Sequence, residues 1–153
     1  MFDEPGIVTP PPSTAARTAR PDDQAECRER GLSTLKATSG GTGDAVVHSF
    51  DDISPEIGAL IVDHSYGEIF CRPGLDPMTR ELTACAVLAG SLTAASETPL
   101  RVHVTAALNV GATAQEIIET LPNVAAYRGY PAVQRAMGIA GEGFARLGAN
   151  IPD

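Results

Sequence analysis

Cysteine is scarce: the 153 residues hold three, Cys27, Cys71 and Cys85. The number is odd and no two stand in a CxxC spacing, which argues against a disulfide framework or a zinc site. Cys85 falls in a run with Leu82, Ala84, Ala86, Val87 and Leu88, so it reads as a small buried residue. Long apolar runs are missing too, and none approaches the roughly 20 residues that span a bilayer. The opening stretch, MFDEPGIVTPPPSTAARTARP, starts acidic, holds a triple proline and lacks the apolar segment of a secretory signal. The expected compartment is the cytoplasm. Basic residues are outnumbered, 11 against 19 acidic ones, for a net charge of −8. That sign repels phosphate backbones and anionic lipid, so neither nucleic acid nor a membrane is expected as a partner. A small anionic substrate stays open, because a pocket can carry its own arginines. Glycine-rich phosphate loops, a Ser-His-Asp signature and metal spacings such as HExxH are absent, and no metal is expected.

What is present is a succession of helix signals. Residues 1–21 are rich in Pro, Thr and Ala without periodicity and are expected to be a disordered tail; residues 22–150 read as one domain. No stretch alternates apolar and polar residues as a strand would. Asp22 to Ala37 predicts a charged helix with Ala25, Leu32 and Leu35 inward, ended by Ser39-Gly40-Gly41-Thr42-Gly43. A short helix with Val46, Val47 and Phe50 follows. Ser54-Pro55-Glu56 predicts a capped start, with Ile57, Leu60, Ile61, Tyr66 and Ile69 on the helix behind it. Asp76-Pro77 repeats the signal before the stripe Met78, Leu82, Cys85, Ala89 and Leu92. After a turn over Ser96 to Pro99, Leu100, His103, Val104 and Ala107 share a face. Thr113 and Glu116 form a capping box, and Pro122 predicts a kink or break. A last helix runs to about Leu147, with Val133, Met137, Ala140 and Phe144 inward. The expected fold class is all-α, a compact bundle of about seven helices.

Two polar residues sit where the pattern calls for apolar ones. Glu81 lies three residues after Met78 and four before Cys85. A carboxylate there is costly unless paired, or it is a boundary residue that reaches solvent or an arginine. His103 sits among Leu100, Val104 and Ala107. It is either a hydrogen-bonded core residue or a proton-transfer group, the work imidazole does best near neutral pH. His64 shares a face with Ile57, Leu60, Ile61 and Glu68, and reads as a helix-edge residue or a contributor to the same pocket.

From Ile53 to Phe144 the chain resembles the carboxymuconolactone decarboxylase family. The resemblance lies in Tyr66-Gly67-Glu68-Ile69, Arg72-Pro73-Gly74-Leu75-Asp76, Thr79-Arg80-Glu81-Leu82, Leu100-Arg101-Val102-His103-Val104, Ala106-Ala107-Leu108-Asn109-Val110-Gly111, Thr113 with Glu116-Ile117, and Ala126-Tyr127-Arg128-Gly129-Tyr130-Pro131-Ala132. It implies an all-α, alkylhydroperoxidase-like fold that assembles as a homo-trimer or homo-hexamer. It also implies one of two chemistries. The peroxidase branch uses a CxxC pair with a histidine four residues after the second cysteine. Counting back from His103, those positions hold Ser96 and Pro99, so dithiol peroxidase activity is not expected. The other branch decarboxylates 4-carboxymuconolactone, in aromatic-acid breakdown, without a cofactor. On that resemblance His103 is the proton donor and Glu81 sets its tautomer or shares its proton. Arg72, Arg80 or Arg101 grips a second carboxylate of the substrate, and Tyr127 donates to the lactone oxygen. Recruitment to another decarboxylation or ring chemistry, and a non-catalytic oligomeric binding protein, are the alternatives.

Overall fold

Local rules set the helix boundaries. In the computed structural model, which describes residues 24–151, the eight α-helical segments are α1 (Gln24–Thr38), α2 (Gly40–His48), α3 (Pro55–Leu60), α4 (Pro77–Gly90), α5 (Glu97–Asn109), α6 (Ala114–Thr120), α7 (Ala125–Arg128) and α8 (Tyr130–Leu147). The described residues contain no strand, and the bundle is all-α as expected. The tail expected over 1–21 lies outside them. Asp76 caps α4 by accepting from the Thr79 amide at 2.9 Å, with Pro77 in the first turn. Thr113 and Glu116 close a capping box on α6, with bonds of 2.8 and 3.2 Å. At Pro122 the chain tightens into a 3-10 turn, Leu121–Val124, that splits α6 from α7.

Three expectations are corrected. The buried face of α1 is Cys27, Gly31, Leu35 and Thr38; Ala25 and Leu32 are exposed, because the inward stripe runs one position away from Leu32. The glycines after Ser39 belong to α2 itself. Ser54 starts α3 without capping it, since its hydroxyl donates to Glu56 instead.

The largest departure follows α3. Ile61–Phe70 continues it as a π-helix, whose hydrogen bonds span five residues instead of four. Residues five apart therefore share a face. Val62 and Gly67 are both buried, while Ile57, Leu60 and Ile69, placed inward by a 3.6-residue period, are substantially exposed.

Two cores result. The larger joins Cys85 and Ala89 of α4, Leu100, Val104 and Ala107 of α5, Ile117 of α6, and Val133, Ala136, Ala140 and Phe144 of α8. The smaller is Leu35, Val62 and Tyr66, with Val47, Ile61 and Phe70 against it. Around it α1 and the π-helix approach very closely. A Cβ on Gly31 would lie 2.3 Å from the Val62 carbonyl oxygen, and one on Gly67 would lie 2.6 Å from that of Cys27; only glycine fits. Arg28 clamps the same pair of elements with a two-pronged bond to Asp63, one prong at 2.7 Å. That guanidinium holds the Asp63 carboxyl below the usual carboxylate range.

Candidate functional site

Glu81 occupies the centre of an apolar stripe on α4, one turn before Cys85 and two before Ala89, and all three are buried. Its side chain is 0% exposed. A carboxylate in that place needs a partner, and α5, which packs on α4 after a short connection, supplies His103. The two meet through Nδ1 and Oε2 at 2.6 Å. The other carboxylate oxygen, Oε1, is buried without a hydrogen-bond partner. With Nδ1 committed to Glu81, Nε2 is the ring nitrogen left for a ligand.

His103 is only 17% exposed. Its ring stacks on Phe70, with centroids 5.6 Å apart and planes 30° apart. Both residues line a cavity of about 210 Å³, with Leu35, Val46, Ile61, Ser65, Tyr66, Pro99 and Val102. The π-helix explains this wall: Ile61 and Tyr66 are five residues apart, as are Ser65 and Phe70, and all four line the cavity. The Tyr66 hydroxyl is 3.0 Å from the Ser39 hydroxyl. Burial pushes the Tyr66 phenol up, and the nearby Glu81 charge adds to that, so it stays a neutral hydroxyl.

The thiols lie apart from this chemistry. Burial, reinforced by Glu81, pushes the Cys85 thiol up to about 12, which leaves it protonated and unreactive. Cys27 donates to the Asp63 carbonyl and Cys71 to the Gly67 carbonyl. Of the two positions that would carry a peroxidase pair, Pro99 lines the cavity and Ser96 is used in the turn before α5. Among the described residues no three His, Cys, Asp or Glu side chains are grouped to hold a metal.

The other predicted site residues do not converge here. His64 is exposed and bonds to Glu68 at 3.0 Å. Its neighbours Ile61 and Ser65 face the cavity, and it does not. Arg101 pairs with Glu142 at 2.8 Å and Glu97 at 3.9 Å. Tyr127 is 87% exposed, over a shallow surface with Val87, Val124 and Arg128. Arg72 and Arg80 line a separate groove that shares Phe70 with the cavity. Sequence reasoning missed Phe70 and Ser65 as site residues; their i, i+5 spacing carries meaning only once the π-helix is known.

Residues 55–142 match the model of the carboxymuconolactone decarboxylase family. The chain belongs to the carboxymuconolactone decarboxylase family. Among relatives, a 4-carboxymuconolactone decarboxylase of Acinetobacter baylyi is 35% identical over 102 residues, covering 67% of this chain and 74% of that protein. An uncharacterised 15.0 kDa protein of Paracoccus denitrificans is 35% identical over 96 residues, 61% of this chain and 69% of its own. The family span contains both Glu81 and His103. It leaves out α1 and α2, which supply Leu35 and Val46 to the cavity.

Proposed function

We propose that this family member is a cofactor-independent decarboxylase of a small carboxylated lactone or similar carbon acid, of the 4-carboxymuconolactone decarboxylase type. The observation that carries the reading is the buried Glu81–His103 pair, joined at 2.6 Å, at the wall of an apolar cavity. The relative in Acinetobacter baylyi that bears the 4-carboxymuconolactone decarboxylase name supports it.

The reaction divides into two steps. The C–C bond to the leaving carboxylate breaks, CO₂ departs, and the electron pair passes into the conjugated carbonyl of the lactone. An apolar cavity favours this step, because the charge of the carboxylate is poorly solvated there and is dispersed as CO₂ leaves. A proton must then reach carbon. In the imidazolium form of His103, Glu81 holds the Nδ1 proton and the Nε2 proton is delivered. Tyr66 and Ser65 line the same space, and their hydroxyls are the donors proposed for the developing enolate. A volume of about 210 Å³ suits a small acid, being below the roughly 300–1,000 Å³ of drug-sized pockets. Charge recognition falls to Arg72 and Arg80 in the adjoining groove. Arg101, Tyr127 and His64, which line neither the cavity nor this groove, enter the proposal only as contacts that a neighbouring subunit would bring to the site.

A homo-trimer or homo-hexamer is part of this reading. The single chain exposes Leu60, Val87, Tyr127 and Tyr130, large apolar side chains that subunit contacts would cover. Light scattering at micromolar concentration tests it, and a monomer alone would count against it.

The activity test is CO₂ release from 4-carboxymuconolactone and from a panel of lactone and β-keto acids. Wild type should turn over at least one of them. His103→Ala should lose on the order of 10²-fold or more, the scale of a lost general acid, with its helical circular dichroism unchanged. Full turnover by His103→Ala would remove the mechanism.

A further inference from the structure

Ser39 stands at the junction of α1 and α2, outside the family span, and is 1% exposed. Serine at the start of a helix ordinarily caps it by accepting from an amide of the first turn. Here the backbone is helical, at φ −93° and ψ −16°, and the side chain makes no capping bond. Its hydroxyl meets the Tyr66 hydroxyl instead, 3.0 Å away, and that of Thr38 at 3.4 Å. Tyr66 is 5% exposed and lines the cavity with His103. The junction is anchored to the helix that carries His103, because the Asn109 side chain of α5 donates to the Thr38 carbonyl at 3.1 Å.

Counting protons leaves two arrangements. A carbonyl only accepts, so Thr38 spends its proton on the Thr34 and Leu35 carbonyls, at 3.0 and 3.5 Å. Among the described residues Ser39 then has two side-chain acceptors, Tyr66 and Thr38, and Tyr66 has one, Ser39. If Tyr66 donates to Ser39, the Ser39 proton is left with the longer contact to Thr38. If Ser39 donates to Tyr66, the shorter contact is made and the phenol keeps its own proton for a ligand. An acceptor oxygen in the cavity favours the second arrangement, because every proton is then used. We propose that Ser39 is a positioning residue that donates to the Tyr66 oxygen and so turns the phenol proton toward an oxyanion bound in the cavity. A hydroxyl that accepts one hydrogen bond is also a stronger donor of the next. Burial and the Glu81 charge push the phenol up, and the Ser39 hydrogen bond works against them. The oxyanion is the enolate only on the decarboxylase reading, on which that role rests; the direction of the hydrogen bond stands independently of it.

The probe is 4-nitrophenolate, a small flat oxyanion whose charge is delocalised as in an enolate, titrated against the full chain by its absorbance. Wild type should bind it. Tyr66→Phe should weaken binding by about tenfold or more. Ser39→Ala should weaken it by roughly three- to tenfold, the worth of one hydrogen bond. In a Tyr66→Phe background Ser39→Ala should cost nothing further, a result that a merely structural role would not give. Ser39→Cys keeps the volume with a weaker donor and should fall between serine and alanine, so it reads the role even if alanine loosens the junction. On a substrate that is turned over, Ser39→Ala should lower kcat by the same factor and leave KM within about twofold. No binding by wild type, binding that Ser39→Ala leaves unchanged, or a Ser39→Ala loss that persists without the Tyr66 hydroxyl would overturn the assignment. The expected binding pattern in a protein that releases CO₂ from no substrate would support the aimed phenol and remove the decarboxylase reading. CO₂ release that Ser39→Ala leaves at the wild-type rate would do the reverse.

Discussion

The two packing regions of this molecule are held together by different physics. Around α4, α5 and α8 the core is aliphatic and deep, with Leu100, Val104, Ile117, Ala136 and Ala140 all fully buried. Around α1 and the π-helix the core is three residues. There cohesion comes from backbone-close glycines and from the Arg28–Asp63 clamp. Glu81 and His103 belong to the deep region, while Leu35, Tyr66 and Phe70 on the cavity wall belong to the thin one. On the proposed mechanism, the proton-transfer pair thus stands in the deeper core and much of the cavity wall in the thinner one.

The contrast can be broken most severely at Gly31. Adding one methyl group there meets backbone, not a flexible side chain. Gly31→Ala should therefore cost about 1–3 kcal/mol by overpacking and enlarge the His103 cavity, as read by denaturant unfolding and by cavity-ligand affinity. The same substitution should reverse sign on the exposed face of α8. Gly138, within α8, has nothing within 4 Å of an added Cβ, so Gly138→Ala should stabilise by about 0.5–1 kcal/mol through helix propensity. A loss in both places would erase the distinction.

The clamp gives the smallest effect, and one with a pH signature. Arg28 lowers the Asp63 carboxyl from its ordinary 3.8. The unfolded chain therefore takes up its proton first as pH falls. The bridge contributes fully above that value and fades as pH drops through the folded one. Asp63→Asn should cost at most about 1 kcal/mol at pH 7, since Arg28 is partly solvated. The difference from wild type should shrink toward pH 3 in thermal melts. A difference that grew on acidification would give the clamp the wrong sign.

Much of the deep region was legible in the sequence. Asp76-Pro77 and the Thr113–Glu116 box are local signals, and local signals survive folding because the partners lie within one turn. Glu81 and His103 were legible as polar residues on apolar stripes, since burial makes an unpaired carboxylate expensive and so announces a partner. The thin region was less readable. Its face follows an i, i+5 register from Ile61 onward, and a 3.6-residue template moved Ile69 inward when it is exposed, as are Ile57 and Leu60 on α3 ahead of it. Leu32 was misplaced for a different reason: on a charged helix the inward stripe was Cys27, Gly31 and Leu35, and glycine carries no hydrophobic signal. The arginines were legible as charges but not as a place. Arg72 and Arg80 share a groove with Arg30 because α1 packs against the π-helix that ends just before Arg72, which no spacing within a single motif reveals.

The proposed proton-transfer role of the Glu81–His103 pair is tested most directly by a double-mutant cycle on CO₂ release: wild type, His103→Ala, Glu81→Gln, and both changes together. If Glu81 acts only through the imidazole it holds at 2.6 Å, its loss should matter less once His103 is gone. The double variant should then be as slow as His103→Ala alone, about 10²-fold below wild type, with Glu81→Gln milder than either. Losses that multiply in the double variant would show two residues acting separately and would contradict the pair.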